Sequence, residues 1–318
     1  GLPSRPVAER TNAALLCPQN ADMELNHDII DTPPRDAASV VMLRDAPDGL
    51  QVLLLRRHAD SAVLGGAYVF PGGKVDAADA GADTLARLDR APAELHARLG
   101  EPALSANQAA ALYVAAAREA AEESGVLFLQ VGAKETATHS ADTWARLRAG
   151  EPFAALLAEH GARLDTDALA PWSRWITPRR PSVMNKRFDT RFFLAAVPPL
   201  QEARHDDFEV TEARWLTPRT ALRQYAAHEI DLAPPQIIGL LHLMQSRDVA
   251  HAMRDARSRP PPLIVTQQVE TAETRVLCYP GDEHHPVRER ALPEPIPTRV
   301  VWRNKRFEPP QGFGAFID

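Results

Sequence analysis

The apolar positions fall into blocks whose period changes along the chain. Residues 1–37 are polar, dotted with proline and without period, and are read as an N-terminal arm. "ASVVMLRD" (38–45) predicts a strand, "APDG" a turn, and "LQVLLLRRH" (50–58) the returning strand of a hairpin. "AYVFPGG" (67–73) predicts a third strand ending in a Pro-Gly-Gly break. Over 77–106 leucines recur at helical spacing around Pro92, a helical excursion. From Ser105 the chain runs "SANQAAALYVAAAREAAEESG", a helix that Ser105 or Asn107 can cap and Gly125 can end. "VLFLQV" (126–131) predicts a buried strand, and two short helices are expected within 140–161. Strands are expected at 173–178, 187–198 and 209–218, and helices at 218–228, 234–246 and near 247–257. "RPPPLIV" opens a tail rich in strands and proline. Such a mixture predicts a sheet covered by helices, of the α/β or α+β class.

Composition narrows the function classes. A chain of 318 residues with 45% hydrophobic and 25% charged residues can bury a sizeable core in one large domain or two modest ones. No run of 18 apolar residues predicts a membrane span, and the opening residues lack a basic start followed by an apolar stretch. Cys17 and Cys278 make neither a disulfide framework nor a CxxC zinc site, so a cytoplasmic location is expected. A net charge of −6 disfavours nucleic acid as a partner, but not a small phosphorylated molecule met by a local basic patch. No HExxH, GxSxG, Walker loop or GxGxxG is present, and "DEHHP" (282–286) is read as a polar turn.

Candidate chemistry sits in "AAAREAAEESGV" (115–126). Glu119, Glu122 and Glu123 fall on one helical face, where their carboxylates can converge and raise one another's pKa. Arg118 is the one nearby cation in that segment. A solvated acidic face is the plain alternative; hard divalent cations are the ligand class that clustered carboxylate oxygens favour. A second feature is a basic island in an acidic chain. Arg174, Arg179, Arg180, Lys186, Arg187 and Arg191 lie between 174 and 191 with one acid, Asp189. Arginine suits phosphate through bidentate contacts. Arg179, Arg180, Lys186 and Arg187 are candidate substrate contacts, with Arg56 and Arg57 a second pair; Trp175 and Phe188 could stack on a base.

"PGGKVDAAD" followed by "REAAEESGV" resembles the signature of the Nudix hydrolase family. Gly73 matches its opening glycine; Arg118, Glu119, Ala120, Glu122, Glu123, Gly125 and Val126 match its second half without a gap. Asp79 stands where the family has glutamate. Between Asp79 and Arg118 lie 38 residues, against seven in the usual box, so about 31 are inserted. With "RFDTRFF" and "EARWLTP", this split box resembles the peroxisomal coenzyme A diphosphatase branch and its bacterial relatives. The resemblance implies a Nudix α/β/α sandwich with a mixed sheet over 38–245, a helical insertion at about 80–105, and a C-terminal extension (246–318) packed on the same domain. The insertion is expected to shape substrate access.

The resemblance further implies that Glu119, Glu122 and Glu123 bind Mg²⁺ or Mn²⁺, with the Gly72 carbonyl as an added ligand. Arg118 then orients Glu119 or pairs with Asp79, and Gly73 and Gly125 are structural. Glu209 is the candidate general base, with Asp206, Asp207 and Glu212 nearby. The implied reaction is metal-dependent hydrolysis of a nucleotide-linked diphosphate, coenzyme A or an acyl-CoA foremost. ADP-ribose or NADH, and a non-catalytic ligand sensor on the same fold, are the alternatives. The expected partner is a small nucleotide diphosphate, with no nucleic acid or membrane; a homodimer stays open.

Overall fold

The computed structural model describes residues 25–317, apart from 62–63, 131–142, 205–209 and 271–273. Strand β1 (Arg35–Ala46) starts before the expected boundary of the arm and turns into β2 (Gly49–Arg57), with Ala46 opposite Gly49. β3 (Tyr68–Val69) and β4 (Gly72–Lys74) follow, then a 3-10 turn at Ala77–Ala80 and the short helices α1 (Ala82–Leu85) and α2 (Pro92–Leu99). Helix α3 spans Ala106–Ser124. Ser105 caps it by accepting from the Gln108 N–H, and Gly125 ends it at φ 72°, a left-handed conformation that glycine adopts without strain.

The buried strand expected at 126–131 is present only in part, and residue 131 lies outside the described residues. Among the described residues only Leu129–Gln130 (β5) is extended, paired with β6 (Arg163–Leu164) in a separate ladder. Leu127 instead satisfies its backbone on the Gln201 side-chain amide, at 2.7 and 2.8 Å. Helical residues 143–148 form α4, and α5 is Phe153–Glu159. Then come β7 (Ala170–Ile176), β8 (Phe188–Ala196), β9 (Val210–Leu216), α6 (Pro218–Ala226), α7 (Pro234–Leu243), α8 (Val249–Ser258) and β10 (Leu263–Val265). The tail adds β11 (Gln267–Glu270), β12 (Arg275–Cys278), β13 (Arg299–Arg303), β14 (Arg306–Glu308) and α9 (Gly314–Ile317).

The main sheet runs β10-β7-β8-β1-β2-β3, with β4 also on β1 and β9 also on β2. It is mixed: β1 is parallel to β8 and antiparallel to β2. Both faces are buried, which is why β1 and β2 read as continuous apolar runs. Val40, Met42, Leu53 and Leu55 face α3; Val41, Leu43, Val52 and Leu54 face α6, α7, α8 and the tail. Leu277, Tyr279, Val300, Phe307 and Phe313 of the tail join that second cluster, so the extension shares the sheet's core. Fourteen of the α3 residues are buried, because Leu88, Leu95 and Leu99 of the insertion cover the side turned away from the sheet. Alanine suits a helix pressed from both sides: it needs little room and has the highest helix propensity.

The sheet forks between β1 and β2. β1 meets β2 only through its C-terminal end (Leu43–Ala46) and meets β4 through Ala37–Ser39. β2 meets β3 at Leu55 and Arg56. The chain crosses the fork at Phe70–Pro71, pinned by the Val40 N–H and the Ser39 hydroxyl donating to the Pro71 carbonyl. Fold and site meet at this crossing.

Candidate active site

Gly72 and Gly73 leave the fork pressed against their surroundings. A Cβ on Gly72 would lie 2.5 Å from the Ala38 carbonyl oxygen, and one on Gly73 would lie 2.4 Å from Glu119 Oε1. The family glycine is therefore required by close approach: the Glu119 carboxylate occupies the place of a side chain.

The split box is rejoined in space. Asp79, 2% exposed, accepts from Arg118 Nε at 2.9 Å and from Arg118 Nη2 at 3.0 Å, and its Oδ2 also accepts the Asp76 N–H. The insertion leaves from the 3-10 turn carrying Asp79 and returns at the start of α3, so 38 intervening residues do not separate the pair. Arg118 Nη2 also donates to the Lys74 carbonyl, and its remaining nitrogen, Nη1, bridges Glu119 (2.8 Å) and Glu122 (3.1 Å). Glu123 accepts the Gly72 N–H at 2.9 Å and lies 3.7 Å from Arg57.

Burial works against the Arg118 charge, but its bonds to Asp79 and the charges of Glu119, Asp79 and Glu122 outweigh it, holding the guanidinium protonated more firmly than in water. Burial pushes the Glu122 carboxyl up, against the pull of Arg118 and with help from the Asp79 and Asp76 charges. Among the described residues, five carboxylates (Asp76, Asp79, Glu119, Glu122, Glu123) are paired with three cations (Lys74, Arg57, Arg118), an excess of two negative charges. As the side chains stand, no three acidic, histidine or cysteine groups among the described residues are arranged to hold a metal ion. Arg118 Nη1 occupies the space between Glu119 and Glu122. The donor chemistry nevertheless fits a hard divalent cation: oxygen ligands only, on one helix face.

Of these groups Arg57, Lys74, Asp76, Arg118, Glu119, Glu122 and Glu123, but not Asp79, line a cavity of about 860 Å³ beside the fork. Phe70, Trp175, Val183, Pro234, Pro235 and Leu277 line an apolar part, with Gln236 among them. Arg35 and Lys186 are exposed on its rim. None of residues 80–105 lines the cavity, so the expected role of the insertion in access is not what the structure displays; the insertion covers α3 instead.

The basic island separates into different environments. Lys186 reaches the cavity, while Arg179 pairs with Asp31, Arg180 lies 3.7 Å from Glu270, and Arg187 donates to the Thr177 and Thr32 carbonyls. None of these three arginines lines the cavity. Arg174 and Arg191 are tied by Glu101 of the insertion at 2.8 and 2.6 Å, and both also meet Asp189. Of the second pair, Arg57 lines the cavity and Arg56 does not; Arg57 Nε is buried with no hydrogen-bond partner among the described residues. Glu209, with Asp206 and Asp207, lies outside the described residues. Glu212 accepts the Tyr68 hydroxyl at 2.6 Å. That contact and burial, burial foremost, push the tyrosine up to about 12.

Arg35, Arg148 and Gln236 line the cavity without having been singled out in the sequence. Arg35 stood in the segment read as an arm. Gln236 carried a usable signal, as the one amide in the otherwise apolar "APPQIIGLL".

Residues 34–243 match the family model of the NUDT19 Nudix domain. The acyl-coenzyme A diphosphatase NUDT19 of Gallus gallus is 30% identical over 79% of this chain and 80% of its own length. Its Homo sapiens counterpart is 28% identical over 74% and 72%. Among solved structures, a NUDIX hydrolase from Alicyclobacillus acidocaldarius superposes with a TM-score of 0.54 and 29% identity, covering 73% of this chain and 98% of that one. The chain belongs to the Nudix hydrolases, in the family defined by the NUDT19 Nudix domain. It is thus an enzyme whose family acts on small nucleotide substrates.

Proposed function

We propose that this enzyme hydrolyses coenzyme A or an acyl-CoA at its diphosphate, consuming one water and releasing 3′,5′-ADP and (acyl-)phosphopantetheine. The observation that carries this reading is one cavity lined by three kinds of group: a carboxylate cluster, the exposed cations Arg35 and Lys186, and buried apolar side chains such as Phe70, Trp175 and Leu277. A nucleotide diphosphate with a 3′-phosphate and a long uncharged arm has three matching parts. The names of the Gallus gallus and Homo sapiens relatives point to the same substrate. ADP-ribose and NADH lack both the 3′-phosphate and the long pantetheine arm.

Glu119, Glu122 and Glu123 would hold Mg²⁺ or Mn²⁺, with the Gly72 carbonyl beside them. When bound, the ion supplies positive charge opposite the diphosphate oxygens as negative charge builds on them. Arg118 is suited to the exchange this requires. Its Nε and Nη2 stay locked on Asp79 while Nη1 alone yields Glu119 and Glu122. Arg57, which lines the cavity, would meet a phosphate oxygen, and Lys186 with Arg35 would meet the 3′-phosphate on the rim. Preservation of all three box glutamates favours catalysis over ligand sensing.

The test is incubation with coenzyme A, dephospho-coenzyme A, ADP-ribose and NADH, with Mg²⁺, Mn²⁺ or chelator, and mass-spectrometric identification of products. Ion-dependent 3′,5′-ADP and phosphopantetheine are expected, with coenzyme A preferred. Preference for ADP-ribose or NADH, or no turnover with either ion, would overturn the proposal.

A further inference from the structure

The buried part of the cavity contains a polar group that the hydrolysis does not use. Gln236 lies in the first turn of α7, lines the cavity and is 6% exposed. Its Oε1 accepts no hydrogen bond among the described residues. Neither preceding residue can supply one, because Pro234 and Pro235 have no N–H. The Trp175 indole N–H, which borders the same cavity, is directed to the Ser173 hydroxyl at 3.2 Å. A buried amide oxygen without a donor is costly, and the residue that carries it borders the cavity.

We propose that Gln236 accepts a hydrogen bond from an amide N–H of the substrate's pantetheine arm, making it a specificity-determining residue for arm-bearing diphosphates. This deepens, and rests on, the coenzyme A reading above. Charge and burial decide which half of the substrate meets Gln236. The nucleotide half carries the extra phosphate, and the cavity's exposed cations, Arg35 and Lys186, stand on the rim. The arm is uncharged and is the half that can leave water for surroundings such as Phe70, Trp175 and Leu277. Once there, its amides are the groups that need partners, and an amide oxygen matches an amide N–H.

The test titrates the two product halves separately into the full chain by calorimetry. Gln236→Met keeps the side-chain length and removes the amide. Its Kd for 4′-phosphopantetheine is expected to rise about 5–50-fold, the effect of a buried amide left unpaired, with the Kd for 3′,5′-ADP unmoved. Its melting temperature should equal or exceed that of the wild type, because an unpaired buried amide is gone. Gln236→Asn, which withdraws the amide by one methylene, should weaken phosphopantetheine selectively too and serves should the Met variant not fold. Unchanged phosphopantetheine binding overturns the inference. Equal weakening of both halves, which marks a structural role, or weakening of 3′,5′-ADP alone, which marks base recognition, does so as well. A wild type that binds phosphopantetheine yet does not hydrolyse coenzyme A would refute the catalytic proposal and leave this one standing. One that binds no phosphopantetheine refutes this one whatever the hydrolysis assay returns.

Discussion

Replacing Asp79 by alanine tests whether the interrupted box works as one unit. The substitution removes two charge-assisted hydrogen bonds, at 2.9 and 3.0 Å, from an arginine that is 9% exposed. Breaking a buried ion pair by deleting one partner costs about 3–5 kcal/mol, because the other charge is left uncompensated. Here Arg118 keeps Glu119, Glu122 and the Lys74 carbonyl, so the low end applies. A loss of about 3 kcal/mol, roughly two orders of magnitude in the folding equilibrium, is expected from urea unfolding at neutral pH. The double-mutant cycle with Arg118→Ala should give a coupling of about 2 kcal/mol, within the range for residues in direct contact. Function should fall separately. Without Asp79 the Arg118 guanidinium is hydrogen-bonded on that side to the Lys74 carbonyl alone and can close further on Glu119 and Glu122, competing with the ion those carboxylates would hold. Half-saturation for Mn²⁺ should therefore rise in folded Asp79→Ala. A coupling near zero, or wild-type ion dependence in this variant, would refute the claim that the insertion leaves the box intact.

Other expectations follow from single contacts. Glu122→Gln keeps shape while removing one charge, and should cut turnover by orders of magnitude with the folded state retained; near wild-type kcat would sink the ion site. Lys186→Ala should narrow the preference for coenzyme A over its dephospho form about tenfold, the low end for a charge-assisted contact because Lys186 is exposed; Arg179→Ala, a residue paired with Asp31 off the cavity, should leave that ratio alone. His242, stacked on Trp172 at 5.2 Å, is pushed down to about 4 by burial and by the Arg259 charge. The unfolded imidazole titrates near 6.5, so this contribution is complete above about pH 6.5 and lost as pH falls toward 4, amounting to about 3 kcal/mol. Urea unfolding of His242→Gln across that window should show a shallower slope than wild type, and an equal slope would refute the assignment.

Much of this was legible where the determining contacts are local. The α3 helix, its Ser105 cap and its Gly125 stop lie within one stretch, and so does the second half of the box. β1 and β2 were legible because burial on both faces leaves continuous apolar runs. Legibility failed where partners come from far along the chain. Six cations between 174 and 191 read as one phosphate-binding island because only Asp189 is local. Arg191 is neutralised by Glu101, 90 residues away, and by Asp36, 155 residues away. The strand expected at 126–131 failed for a similar reason. The backbone bonds of Leu127 are supplied by Gln201, a side chain that no local pattern can anticipate.

The insertion is best understood through that same Glu101. Arg174 and Arg191 stand opposite each other across β7 and β8, where two like charges repel. Glu101 reaches both from the end of the insertion, while Asp189 and Asp36 close the network. The insertion thus covers the outer side of α3 with Leu88, Leu95 and Leu99 and ties the root of the 177–187 loop to the sheet. That loop supplies Val183, Met184 and Lys186 to the cavity. A segment that touches no cavity surface therefore fixes one wall of it at second hand. Its removal would expose the alanine face of α3 and leave two arginines short of a carboxylate.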